Sequence, residues 1–188
     1  EDIAEMTLAM LTGAMAELAL GDPARFATDI GPLIDQSALD RLYQHCARMD
    51  QVGRLLIQCE TPVPADGLFF SPRVYEVPNL ASVGEETFGP ILHVLRYRED
   101  DIDRLLAEIR ESNYGLTLGV HSRLDSFADY VFQNSFVGNV YINRDIIGAV
   151  VGVNPFGGLG LSGTGPKAGG PHYLTRFIAE RTLTDNVV

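Results

Sequence analysis

Long apolar runs are missing from this sequence. The longest, residues 146–153, has eight residues, two of them glycine, against the roughly 20 that a membrane-spanning helix needs. No transmembrane segment is expected. Cysteine is scarce as well. Cys46 and Cys59 are the only two, too few for a disulfide framework or a four-ligand zinc site, and a reducing, cytoplasmic setting fits that usage. Basic residues are outnumbered, 14 Lys and Arg against 25 Asp and Glu, for a formal net charge of −11. Attraction to nucleic acid or to an anionic membrane is basic in origin, so neither is an expected partner of this segment. The chain opens Glu1-Asp2-Ile3 without a start methionine or a basic n-region, which reads as a piece of a longer polypeptide.

What is present is ordinary globular composition. The 188 residues are 46% hydrophobic and 21% charged, enough for a buried core at the size of one typical domain. Ile3, Met6, Met10, Leu11, Met15 and Leu18 recur at helical spacing and stop at Gly21-Asp22-Pro23. A second helix is expected with Ser37 as its cap and Leu39, Leu42, Tyr43, Cys46 and Met49 as its apolar stripe. Residues 54–59 and 68–77 read as strands, and Pro90 leads another over 91–97. Ile102, Leu105, Leu106 and Ile109 mark a helix with a dense acidic first turn. A strand over 116–121 follows, then a helix capped by Asp125 that buries Phe127, Tyr130 and Val131, then a strand over 139–143. Strands alternating with amphipathic helices predict an α/β fold with a largely parallel open sheet flanked by helices.

Glycine is unevenly placed. Ten of the nineteen fall within residues 138–170, where the backbone must turn sharply or come close to something. Gly158-Leu159-Gly160-Leu161-Ser162-Gly163 matches the dinucleotide pattern G-x-G-x-x-G letter for letter. That pattern works only between a strand and a helix N-terminus, and neither Asn154-Pro155-Phe156-Gly157 before it nor Thr164-Gly165-Pro166 after it suits those roles. Gly165-Pro166-Lys167-Ala168 likewise lacks the Gly-Lys-Ser/Thr of a P-loop.

Two other segments can carry chemistry. Gly84-Glu85-Glu86-Thr87-Phe88-Gly89-Pro90 sets two carboxylates and an aromatic between glycine turns. It reads either as a solvated acidic turn or as a sugar-binding loop, because a carboxylate can accept from both hydroxyls of a ribose while an aromatic face packs beside it. Ile146-Ile147-Gly148-Ala149-Val150-Val151-Gly152-Val153 reads either as a buried strand or as a loop whose successive N–H groups form a nest for a carboxylate, with Arg144 as a candidate helper. Neither cysteine suits a nucleophile: Cys46 lies on an apolar stripe, and Cys59 adjoins Glu60, whose charge disfavours a thiolate. His45, His93, His121 and His172 show no metal-ligand spacing, and no metal site or catalytic triad is expected. Residues 181–188 form a β-type tail, either a frayed end or a strand that adds to another subunit's sheet.

The order of residues 84–90, Tyr114-Gly115-Leu116, Gly138-Asn139-Val140-Tyr141-Ile142-Asn143, Pro155-Phe156-Gly157-Gly158 and Ser162-Gly163 resembles the C-terminal half of aldehyde dehydrogenases. Residues 143–152 and 163–171 are similar to the Δ1-pyrroline-5-carboxylate dehydrogenase domain of the bifunctional proline utilization A family. The resemblance implies an α/β catalytic-domain piece over residues 1–178 and an oligomerisation tail over 179–188. It implies an NAD-dependent oxidation of L-glutamate γ-semialdehyde to L-glutamate in proline catabolism, within a multifunctional enzyme. Glu86 would bind the nicotinamide ribose hydroxyls and Phe88 would pack beside them. Gly148 and Ala149 would anchor the substrate's α-carboxylate, and Phe156 would line its aliphatic stem. The nucleophilic cysteine, the general base and the NAD-binding domain would lie upstream in the same parent chain, FAD only in a further upstream domain, and the enzyme would be a homo-oligomer. No catalytic residue is assigned within the 188 residues, and the segment alone is expected to be inactive. A non-catalytic assembly module, or a dehydrogenase for a different aldehyde, are the alternatives.

Overall fold

In the computed structural model, which describes residues 1–187, the chain divides into two units, one through Leu105 and one from Leu106. The first is built on a three-stranded sheet. Its strands β1 (Arg54–Gln58), β2 (Arg73–Glu76) and β3 (Ile91–Val94) lie in the order β1-β2-β3, with β1 antiparallel and β3 parallel to β2. Successive residues of β2 point to opposite faces, and each face has its own core. Tyr75 packs with Leu42, Cys46 and Met49 of helix α2 (Gln36–Val52) and with Phe70 and Val77. Val74 packs on the other side with Cys59 and with Met15 of helix α1 (Ala4–Ala16). The sheet is therefore covered by a helix on each face.

Local chemistry explains where the boundaries depart from expectation. Asp35, not Ser37, caps α2: its carboxylate accepts from the Ala38 N–H at 2.7 Å, while Ser37 Oγ accepts from Arg41 Nη1 at 2.7 Å. An extended residue three before the orphan N–H is the geometry a cap requires. The stripe of α2 also differs. Tyr43 is 50% exposed and His45 is 5% exposed, because the buried face of this helix follows Ala38, Leu42, His45 and Met49 at helical spacing. His45 and Cys46 are both buried although neighbours in sequence. Regular pairing in the second expected strand begins only at Arg73, since Pro72 has no N–H to give a ladder; its carbonyl accepts from Cys59 N–H at 2.9 Å. On α1, Leu11 and Met15 face the core, whereas Ile3, Met6 and Met10 stay exposed.

Helix α3 (Ile102–Glu111), entered through a 3-10 turn at Glu99–Asp101, runs across the boundary of the units. The second unit contains a β-α-β crossover. Strands β5 (Thr117–Val120) and β6 (Asn139–Ile142) pair in parallel through helix α4 (Asp125–Asn134), and β4 (Tyr114–Gly115) pairs antiparallel with β7 (Leu159–Gly160). Leu124 is the N-cap of α4, with Asp125 its first residue, where a carboxylate suits the helix dipole. Ala128 and Val131 are buried, while Tyr130 is 40% exposed. Residues 178–187 form neither helix nor strand, and Val188 of the expected tail lies outside the described residues. Parallel pairs in both units, with helices alternating between strands, make this an α/β fold. Among the described residues no helix is long and apolar enough to cross a membrane.

Candidate functional site

Each unit presents one irregular segment held by polar side chains. In the first unit, the carboxylate loop follows a 3-10 turn, Leu80–Val83, whose cap Asn79 accepts through Oδ1 from Ser82 N at 2.9 Å and Ser82 Oγ at 2.8 Å. The loop closes at Gly89, where a Cβ would meet the buried side chain of Leu42, with Cδ1 at 2.6 Å and Cδ2 closer still. Only glycine lets the loop come down onto α2 this tightly. Between these ends Glu85, Glu86 and Phe88 are exposed, Phe88 to 80%.

A cleft of ≈ 450 Å³ opens beside the loop, lined by Arg41, Gln44, His45, Arg48 and residues 85–88. The structure thus puts Glu86 and Phe88 together on one exposed rim, the carboxylate offering acceptors and the ring offering a flat apolar face. That donor–acceptor set fits a sugar with vicinal hydroxyls carrying a planar ring. Beneath the rim, His45 and His93 meet with their Nε2 atoms 2.8 Å apart. Burial, then Arg48, lowers the pKa of His45 below the usual histidine value; burial, then His45 and Arg48, pushes His93 down to about 4. No spacing in the sequence signals this pair, because the two residues lie 48 apart. A polar residue falling on the buried stripe of α2 was the one available hint.

In the second unit, residues 146–153 are not a buried strand. Ile147 is 79% exposed, and none of residues 146–150 joins a ladder. Gly148 has φ +76°, a left-handed conformation that side chains resist. The following turn is closed by Val150, whose carbonyl accepts from Val153 N–H at 3.0 Å and Asn154 N–H at 2.9 Å. Asn154 Oδ1 accepts from Val150 N–H at 3.4 Å. The N–H groups of Gly148 and Ala149 donate to no group among the described residues. Consecutive unpaired amides in a loop of this kind suit an anion.

Phe156 is half-buried and held on both sides. Its N–H and C=O bond to Ala168 at 3.0 and 2.9 Å. The neighbouring residues are gripped by buried Asn139, whose Nδ2 donates to Pro155 O at 3.0 Å and whose Oδ1 accepts from Gly157 N at 3.3 Å. Lys167 Nζ also donates to Asn139 Oδ1 at 3.3 Å and to Gly138 O. Asn139 thus holds the backbone on both sides of Phe156, a contact that no spacing in the sequence signals. Arg144, expected to assist the amide loop, lies 4.8 Å over the Tyr141 ring and bonds Asp145 O at 3.2 Å. Both cysteines are buried free thiols, Cys59 Sγ donating to Met15 O at 3.4 Å. Among the described residues, no group of three or more His, Cys, Asp or Glu is placed to hold a metal.

The profile described as "Aldehyde dehydrogenase family" matches residues 1–183. The bifunctional protein PutA of Salmonella typhimurium is 49% identical over 187 residues, 96% of this chain and 14% of that protein. A solved structure of proline utilization A with proline bound in remote sites superposes with a TM-score of 0.89 at 52% identity, over 94% of this chain and 18% of that one. A 1-pyrroline-5-carboxylate dehydrogenase from Thermus with bound NAD gives a TM-score of 0.83 at 34% identity, over 93% of this chain and 34% of that one. The chain therefore spans a minor part of the length of the relatives it matches.

Proposed function

Because the chain belongs to the aldehyde dehydrogenase family, we propose that its two loops are the coenzyme-ribose contact and the substrate anchor of an enzyme oxidising L-glutamate γ-semialdehyde to L-glutamate with NAD. The relatives named above support that substrate and coenzyme. The observation that carries the reading is the pair of unpaired amides at Gly148 and Ala149. The product and its aldehyde precursor both bear an α-carboxylate, and a chain of charge −11 gives an anion no general attraction. Local N–H donors supply it instead.

Within this scheme each residue has a definite task. Glu86 accepts from both ribose hydroxyls and so fixes the rotation of the sugar. Phe88 covers the sugar and the attached ring and keeps water from them. Gly148 and Ala149 hold the α-carboxylate, and Phe156 packs along the aliphatic stem, so the aldehyde end is presented at a set distance from its anchored end. NAD, when bound, supplies the hydride acceptor. The nucleophilic cysteine, the general base and the NAD-binding domain belong, on this reading, to the preceding part of a parent chain, any FAD to a separate domain, and the setting is cytoplasmic. Exposed Ile178, Leu183 and Val187 in an unpaired tail support assembly into a homo-oligomer.

The test uses the full-length enzyme and two aldehydes, one with and one without an α-carboxylate. Replacing Ala149→Leu is expected to raise the KM for the carboxylate-bearing aldehyde about tenfold or more, the scale of losing one or two charge-assisted hydrogen bonds. The KM for NAD and the kinetics of the carboxylate-free aldehyde change by less than twofold. Equal losses on both aldehydes, or on NAD, remove the anchor assignment.

A further inference from the structure

The loop bearing Glu86 and Phe88 rests on a hydrogen-bonded network whose direction can be worked out. The His45 and His93 rings stand at 79° with Nε2 atoms 2.8 Å apart, so one must donate and the other accept. Arg48 decides which. A guanidinium only donates, and Arg48 Nη2 lies 3.1 Å from His45 Nδ1. His45 therefore accepts at Nδ1 and carries its proton on Nε2, donating to His93 Nε2; His93 keeps its own proton on Nδ1.

The same groups hold the loop at two places. Arg48 Nη1 donates to Ser82 O at 2.8 Å and Nη2 to Val83 O, immediately before Gly84. Thr87 Oγ1, between Glu86 and Phe88, lies 3.2 Å from His45 Nδ1 and 3.4 Å from Glu85 O. His45 Nδ1 is thus the shared point at which Arg48 and Thr87 meet, and His93 holds that nitrogen in its accepting form.

We infer that His45 is a positioning residue for the coenzyme. Its Nδ1 lone pair sets the register of residues 82–88, and hence where Glu86 and Phe88 stand, while its Nε2–H, taken up by His93, fixes the tautomer. The inference rests on the reading of Glu86 as a ribose contact. It assigns no direct contact between His45 and the coenzyme.

The two histidine nitrogens can be tested separately, because an asparagine amide reaches the Nδ1 position and a glutamine amide the Nε2 position. In the full-length enzyme, His45→Gln keeps a donor toward His93 and loses the acceptor at Nδ1; His45→Asn does the reverse. NAD binding by calorimetric titration, KM for NAD, KM for the aldehyde and the thermal midpoint are measured for both, beside Glu86→Gln. We expect His45→Gln and Glu86→Gln each to weaken NAD about tenfold, with the aldehyde KM moving less than twofold, and His45→Asn to recover most of the loss. If Glu86→Gln weakens NAD while His45→Gln binds it like the parent, the positioning role is overturned and the ribose reading stands. If His45→Gln and His45→Asn lose NAD binding, aldehyde binding and thermal stability alike, His45 is packing alone and the inference fails. If Glu86→Gln leaves NAD binding unchanged, the ribose reading itself fails and takes the inference with it.

Discussion

Replacing Gly89 with alanine perturbs the carboxylate loop at the point where its freedom is least. An added Cβ would lie 2.6 Å from Leu42 Cδ1, against an ordinary contact of 3.4–4 Å. The two must separate by about 1 Å. Leu42 is fully buried and shares its core with Cys46, Met49 and Tyr75, so the side chain has nowhere to go and part of the displacement passes to the loop. Overpacking of this kind costs about 1–3 kcal/mol, and in the coenzyme contact proposed for this loop a displacement near 1 Å can cost up to about 100-fold in rate. Gly89→Ala is therefore expected to lower the thermal midpoint and to cut kcat/KM for NAD about 10- to 100-fold in the full-length enzyme, with a smaller change in the aldehyde KM. The nearest atoms met by the Cβ all belong to the Leu42 side chain, which makes a second variant decisive. Leu42→Ala leaves a cavity and by itself costs about 2–5 kcal/mol, yet it removes the clash. In the double variant the NAD term should recover although the stability does not. A Gly89→Ala enzyme with parental NAD kinetics, or a double variant whose NAD kinetics stay as poor as those of Gly89→Ala, would refute the coupling between this close approach and the loop.

Two further outcomes follow from the polar groups beneath the loops. His93, held near pKa 4 against an ordinary 6.5 chiefly by its burial, takes up its proton more readily unfolded than folded; stability is therefore unaffected above pH 6.5 and falls as the pH drops from 6.5 toward 4. For a half-buried ring the loss is about 1–2 kcal/mol after solvent screening; thermal midpoints between pH 7 and 5 should fall less steeply in His93→Gln, and identical slopes would count against the assignment. Asn139→Leu removes the grip on Pro155 and Gly157 and leaves Lys167 Nζ with Gly138 O alone, a cost of about 1–3 kcal/mol. It should raise the KM for the aldehyde more than that for NAD, and an unchanged aldehyde KM would detach Asn139 from the placement of Phe156.

Much of the frame was legible because it is local. The 42, 46, 49 spacing gives the face of α2 that meets Tyr75, and Pro90 and Gly138 punctuate the strands β3 and β6 closely. Both loops were also legible, since glycines flanking carboxylates or crowding an apolar run conflict with regular structure. What stayed hidden is whatever depends on a partner far along the chain. His45 meets His93 across 48 residues, Asn139 reaches Pro155 and Lys167, and the Asp35 cap wins over Ser37 through its own extended backbone. Tertiary hydrogen bonds have no period, so no pattern of residue types announces them.

The placement of cations in the second unit suits the proposal that recognition there falls to the main chain. Arg110 lies over Phe136, Arg144 over Tyr141 beside Asp145, Lys167 on Gly138 O and Asn139, and Arg176 on Thr164 O. Each of these four side chains is engaged in holding a segment in place. A free lysine or arginine at the anchor would attract any anion and pull toward the acidic groups that give the chain its −11 charge. Two amides in a loop set by a left-handed glycine are different: they add no net charge, cannot swing to a neighbouring carboxylate, and point where the backbone puts them. On the proposed anchoring role, selectivity for a small acid in so acidic a chain comes from fixed direction, and the same logic makes the conformation at Gly148, more than any side chain nearby, the feature on which anchoring would depend.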